Sequence, residues 1–199
     1  MNSQRTLALL AVALLTGPMA AHAVTLQING DGILTGALDV KVGGALYNVQ
    51  FLDGACISLF TGCDNATDDF AFTTLADALI AAQVLLDHVW VDTTLGEFDS
   101  HPELTNGCGG FGLCIAISPY TIFVNGEPGI RMVGVTNFIS ADGDLSPGEF
   151  SFSFPPDFDS NNPFITYFVW SLASIPEPGT LALLGLGLLG LAVVRGRAA

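Results

Sequence analysis

The stretch ILTGALDVKVGGALYNVQF, Ile33 to Phe51, decides the fold. Two runs of alternating apolar and polar residues flank Gly43-Gly44, and a two-residue glycine loop is a hairpin turn whose twist suits paired strands. Pairing across that turn sets Val42 against Ala45, Val40 against Tyr47 and Leu38 against Val49. These six share one face, while Asp39, Lys41, Asn48 and Gln50 share the other. Register and hydrophobic alternation agree, as they must where a single face is buried. The stretch predicts an antiparallel hairpin.

Outward from it, Val24, Leu26 and Ile28 alternate with Thr25 and Gln27, the period of a half-buried strand. Downstream, TTLADALIAAQVLLDHVW (73–90) carries Leu75, Leu79, Ala82, Leu86 and Val89 at three- and four-residue steps, which predicts one amphipathic helix. Thr74 is its expected N-cap, and Asp77 sits in the first turn where the helix dipole favours an acid. Ile80 and Val84 fall on the back of that helix. FGLCIAISPYTIFV (111–124) and GIRMVGVTNFI (129–139) flank a turn cluster at 125–129 and predict a second hairpin. Phe150, Phe152 and Phe154 alternate with serines up to Pro155-Pro156, a further strand. Asp157 to Pro163 reads as a loop. FITYFVWSL (164–172) is apolar on both faces and therefore predicts a central strand. The fold class expected is α+β, a mainly antiparallel sheet of hairpins with one amphipathic helix packed on it.

Both ends of the chain differ from this middle. Residues 1–23 read as a signal peptide: Arg5, an apolar core from Leu7 to Leu15, helix breakers Gly17 and Pro18, then Ala21-His22-Ala23. Ala21 and Ala23 make the small-x-small pattern that signal peptidase accepts, so the mature chain is expected to begin at Val24. The apolar core is far short of the roughly twenty residues that span a bilayer. At the other end, Pro176-Glu177-Pro178 precedes an apolar run from Thr180 to Val194 and two cations, Arg195 and Arg197. Prolines exclude a regular helix at 176–178 and keep that tripeptide extended. The apolar run reads as a transmembrane helix of marginal length, with its basic tip held on the cytoplasmic side.

The order Pro176-Glu177-Pro178-Gly179-Thr180, apolar helix, arginine-bearing tip resembles the PEP-CTERM sorting signal of Gram-negative bacteria. The resemblance covers residues 176–199. It implies recognition by an exosortase, a membrane cysteine transpeptidase that cleaves near the motif and passes the body to the cell surface or an extracellular polymer. The chain is then an exosortase substrate that passes through an inner-membrane intermediate. Its basic tip departs from the family pattern, with two arginines split by Gly196 in place of a denser cluster.

Between the ends lies residues 24–175, the size of one domain. Of nineteen acidic residues all but Glu177 fall there, against two cations, Lys41 and Arg131, in a chain of net charge −14. That surface repels nucleic acid and anionic lipid, which need a basic footprint. Four cysteines form two close pairs, Cys56 with Cys63 and Cys108 with Cys114, each enclosing a turn. In an exported chain they are expected as two local disulfides. The gaps are too long for a four-cysteine zinc site.

Other chemistry is sparse. Asp142, Asp144 and Ser146 begin like a calcium loop, but Pro147 stands where glycine is needed and Ser153 where the glutamate belongs. Asp64, Asn65, Asp68 and Asp69 form an acidic cluster of the kind that gathers calcium outside the cell, but it completes no ligand pattern and reads as a solvated loop. His88, next to Asp87, and His101 lack any recognisable partner motif. The expectation is no metal, no cofactor and no catalytic residue. The reading is a non-enzymatic surface or matrix protein, structural or adhesive in an exopolysaccharide or biofilm layer, with signal peptidase, an exosortase and extracellular polysaccharide as partners. The alternative is an exported polysaccharide hydrolase working through a carboxylate pair.

Overall fold

Strand β1 (Thr25–Ile28) runs antiparallel to β2 (Leu34–Val42), which turns at Gly43-Gly44 into β3 (Ala45–Leu52). The structure is a computed structural model that describes residues 23–63, 70–110, 112–124, 128–140, 143–150 and 153–174. Gly43 and Gly44 have φ of 63° and 131°, the positive values a tight hairpin turn demands and only glycine adopts freely. Val42 pairs with Ala45 and Val40 with Tyr47, as the sequence predicts. Beyond them the register departs from the expectation: Val49 faces Ala37, not Leu38. Asp39 forms a bulge there with φ of 57°, a conformation a short polar residue tolerates, and its N–H donates to Asn48 Oδ1 at 3.2 Å. The extra residue turns Leu38 outward, 37% exposed, and sends Ala37 into the core. Glycine is required at the neighbouring position, because a Cβ on Gly36 would run into the Val49 carbonyl oxygen.

A short helix α1 (Cys56–Leu59) and a single turn at Thr61–Cys63 follow, then the main helix α2 (Leu75–His88). The two-residue strands β4 (Asp92–Thr93) and β5 (Gly96–Glu97) pair with each other. β6 (Leu113–Val124) and β7 (Pro128–Phe138) make the second expected hairpin, and β8 (Leu145–Glu149) lies along β7. The expected phenylalanine strand is seen in part, since Phe152 lies outside the described residues. Pairing occurs one step earlier, at 145–149, and Phe154 contributes an isolated bridge to Ile130. Phe150 and Phe154 pack ring edge to face at 5.1 Å, and the Phe150 N–H donates to the Met132 carbonyl oxygen at 3.2 Å, so both residues stay against β7.

The last strand, β9 (Ile165–Leu172), takes the middle of the sheet, whose order is β1-β2-β3-β9-β6-β7-β8. It runs antiparallel to β3 and parallel to β6, the one parallel pair among the described strands. Its two-sided apolar sequence is explained by that position, because both faces are covered. Phe168 and Trp170 join α2, Val40, Val49 and Phe51 in one core. Tyr167 joins Phe60, Phe70, Ile117, Met132 and Phe154 in the other.

Helix α2 is capped as expected: Thr74 Oγ1 accepts the Asp77 N–H at 3.2 Å and donates to Asp77 Oδ2 at 2.7 Å. Its buried stripe lies about one position round from the expected one. Ala78, Ala81, Ala82 and Leu85 are buried, with Leu75, Leu79 and Leu86 on the flanks. The small alanines bring the helix backbone near the sheet, and the leucines then fill the margins. Ile80, on the back, is half exposed. The fold is mostly sheet with one substantial helix, of α+β type. Among the described residues no helix is long and apolar enough to cross a membrane, and the expected tail helix lies outside them.

Candidate functional site

The chain leaves the domain at the turn end of the first hairpin. Leu172 lies opposite Tyr47, and the Ala173 N–H donates to the Leu46 carbonyl oxygen at 2.9 Å. The N-terminal strand enters from the same end, with Thr25 opposite Leu38. Ala23 is described two residues before β1. Ala21, Pro176, Glu177, Pro178, Arg195 and Arg197 lie outside the described residues, as do Asp64, Asn65, Asp68, Asp69 and Asp142.

Both cysteine pairs are local bridges, Cys56–Cys63 with Cα atoms 5.9 Å apart and Cys108–Cys114 with 5.5 Å. They serve opposite faces of the sheet. Cys56–Cys63 ties α1 into the core around Tyr167, while Cys108–Cys114 fixes the start of β6 in the core beneath α2. All four sulfurs sit in buried residues, so none is placed for thiol chemistry.

Carboxylates come together at two places among the described residues: Asp53 and Asp159 line one shallow concavity, and a second group lies between Asp92 and Asp144. Partial burial opposes the charge on Asp92. Hydrogen bonds from the Ser100 hydroxyl at 2.8 Å, the Ser100 N–H at 3.1 Å and the Asp99 N–H at 2.9 Å outweigh it and hold the carboxyl below its usual range. His101 Nδ1 lies 2.9 Å from Glu103 Oε1, and that hydrogen bond raises the imidazole pKa and lowers that of Glu103. Asp99 and Asp144 go the other way. Burial raises Asp99, and the charge of Asp144 adds to the shift. Burial also raises Asp144, against the Phe138 N–H that it accepts at 2.7 Å. Asp144 thereby braces the end of β7. His88 stands exposed at the end of α2. Among the described residues no group of three or more His, Cys, Asp or Glu side chains is placed to hold a metal.

Two of the concave surfaces among the described residues flank the first hairpin. A groove of about 360 Å³ runs between the Gly43-Gly44 turn and the start of α2, walled by Val42, Ala45, Tyr47, Phe72 and Ile80. A trough of about 390 Å³ follows the solvent face of β1, β2 and β3, with Gln27, Thr35, Asn48, Gln50 and Ser171 among its lining residues. Asn48 and Gln50 were legible as outward-facing from the hairpin alternation. Thr35 and Ser171 were not, because neither the bulge nor the β3–β9 register is written in local sequence.

Residues 174–198 match the family model of the PEP-CTERM protein-sorting motif. The chain carries a PEP-CTERM signal. No curated protein and no solved structure matches the chain. The match begins at Ser174, one residue past the last backbone bond that β9 makes to β3. The matched segment therefore begins where the described sheet ends.

Proposed function

We propose that the protein is exported, processed at its PEP-CTERM signal by an exosortase-type transpeptidase, and delivered to the cell surface or extracellular matrix. There it has a non-enzymatic, structural or adhesive role in the exopolysaccharide of a biofilm. The observation that carries this reading is the sorting-motif match at 174–198, directly after the central strand. Two features of the domain support it. Its local disulfides suit an oxidising compartment outside the cytoplasm. Its solvent-facing trough offers amides and hydroxyls without formal charge, the groups that hydrogen-bond sugar hydroxyls.

In this reading signal peptidase cuts after Ala23, and the tail holds the chain in the inner membrane until the transpeptidase acts. Moving Arg195 or Arg197 through the bilayer centre costs roughly 2.5–3.5 kcal/mol on insertion scales, which keeps the tip inside. The test is mass spectrometry of protein released from the surface of the native host. Processed protein ends near Pro176–Pro178, Glu177→Ala accumulates uncut in the membrane, and a chain ending at Ile175 is secreted without entering the surface layer. Intact Leu181–Val194 sequence in the released fraction overturns the reading.

A second reading rests on Asp99 and Asp144, two neighbouring carboxyls whose pKa values are both raised. A polysaccharide hydrolase needs such a pair, one member protonated as the general acid. Release of reducing sugar from the host polymer, abolished by both Asp99→Asn and Asp144→Asn, would establish it in place of the first.

A further inference from the structure

We propose that the trough over β1, β2 and β3 binds one chain of an uncharged polysaccharide, held by the side chains of Gln27, Asn48, Gln50 and Ser171. The site deepens the reading above, on which it rests, by naming the class of polymer. The sheet register makes the trough. Gln27 lies opposite Gly36, and Gly36 opposite Gln50, so two glutamines flank a position with no side chain. Nothing larger fits there, because a Cβ on Gly36 would meet the Val49 carbonyl oxygen. Across the next ladder Val169 and Ser171 lie opposite Gln50 and Asn48. Val169 packs against the cluster around Tyr167, so the cover of that face of the sheet ends at β9 and leaves the first three strands open.

None of the lining side chains is ionisable, in a chain of net charge −14. The acids nearest in sequence, Asp39 and Asp53, adjoin lining residues and repel an anionic polymer. Three polar groups are held by one bond each and keep a further donor or acceptor for a ligand. Asn48 Oδ1 accepts the Asp39 N–H, which leaves Nδ2 as a donor. Asn106 Nδ2 donates to the Phe51 carbonyl oxygen at 2.8 Å, which leaves Oδ1 as an acceptor. Thr35 Oγ1 donates to the Gln27 carbonyl oxygen at 3.0 Å and can still accept. Groups fixed in advance lower the ordering cost of binding. The side chains of Gln27, Gln50 and Ser171 have no hydrogen-bond partner among the described residues. Such a mixture of donors and acceptors suits sugar hydroxyls, which do both. Leu38 and half-buried Leu52 offer apolar contact to the C–H faces of a sugar ring, while Val49 and Phe51 bury their side chains on the other face. From Gln27 on β1 to Ser171 on β9 is three strand spacings, about 14 Å, room for several rings in a row. The trough exposes no Tyr, Trp, Met or Arg side chain of the kind that anchors a protein partner.

The test uses the native host's extracellular polysaccharide, partly hydrolysed and split by anion exchange into uncharged and acidic oligosaccharides. Each fraction is titrated into the purified full chain in detergent micelles. Calorimetry is expected to show binding of the uncharged fraction. Gln27→Ala with Gln50→Ala should weaken it about tenfold or more, the loss of two hydrogen bonds, and Gln83→Ala on α2 should leave it unchanged. The double variant removes no internal bond and is expected to melt with the wild type; should it not, Ser171→Ala gives the same readout. No binding, binding confined to the acidic fraction, or equal affinity in the trough and control variants overturns the proposal. So does a dimer that the double variant abolishes, which would assign the face to a second copy. No sorting machinery is present in the titration. Binding there with an uncut tail in the host would keep the site and overturn the delivery, and delivery without binding would overturn the site alone.

Discussion

Asn137, wholly buried on β7, donates from Nδ2 to the carbonyl oxygen of Phe98 at 2.8 Å. That bond stitches the irregular segment after α2 to the sheet. Phe98 is itself fully buried, and Trp90, eight residues earlier, stacks on Phe51 with ring centroids 5.7 Å apart while its Nε1 donates to Thr105 Oγ1 at 3.0 Å. Replacing Asn137 by alanine removes the donor and leaves the Phe98 carbonyl unpaired in the core. The expected loss is about 2 kcal/mol, read as a lower urea midpoint at unchanged m-value.

The two disulfides stabilise separate faces and are expected to act independently. Cys56→Ala with Cys63→Ala, and Cys108→Ala with Cys114→Ala, should each cost about 2 kcal/mol, because each bridge closes a short loop. Removing both should cost the sum to within about 0.5 kcal/mol, since the pairs contribute to different cores. Denaturant unfolding of the three variants checks it. A combined loss far above the sum would mean that the two faces depend on each other through β9.

Ala81 has no exposed surface, and it lies where α2 meets the sheet. Ala81→Leu forces extra methylenes into that contact and should destabilise by roughly 1–3 kcal/mol, despite leucine's good helix propensity. Ile80→Ala, one position away on the exposed side, should change stability by less than about 0.5 kcal/mol. Thermal melts of the pair separate packing from propensity.

The His101–Glu103 pair gives stability a pH dependence whose sign is fixed by both shifts. The imidazole pKa is raised from 6.5, so its contribution is present below that value and lost as the pH rises through the folded-state value. The Glu103 pKa is lowered from 4.5, so its contribution is present above that value and lost as the pH falls. The pair therefore helps most between the two. The stability difference between wild type and His101→Gln should be largest near about pH 5.5 and shrink by about pH 8. Urea midpoints at the two values measure it, and a difference that grew toward pH 8 would contradict the assignment.

What could be read in advance was what depends on neighbours in sequence. The Gly43-Gly44 hairpin and the Thr74 cap are local devices, and the sorting signal is linear, so all three were legible. β9 was legible as central because a strand covered on both faces must be apolar on both. The bulge at Asp39 was not, since it depends on Asn48 reaching across from β3 and on the close approach of Gly36 to Val49. The 90–105 segment was equally hidden. Its structure comes from side chains such as Asp92, Asn137 and Thr105 that bond across gaps with no sequence period. The Asp99–Asp144 juxtaposition could not be read either, because it needs the end of β7 to pass that segment.

The position of β9 has a consequence for the timing of export. The strands before it pair as one meander, β1 to β3, and those of the second hairpin as another, β6 to β8; β9 alone joins them. Val49 and Trp170, which face each other across the β3–β9 ladder, are more than a hundred positions apart, so closing the sheet is a non-local and therefore slow step. The sheet cannot close until almost the whole domain is present, and the PEP-CTERM segment is next in the chain. Completion of folding and appearance of the PEP-CTERM segment thus fall together in time. A chain that stalls before residue 165 would present two unjoined half-sheets with bare edges, a form open to envelope proteases and to pairing with its own copies.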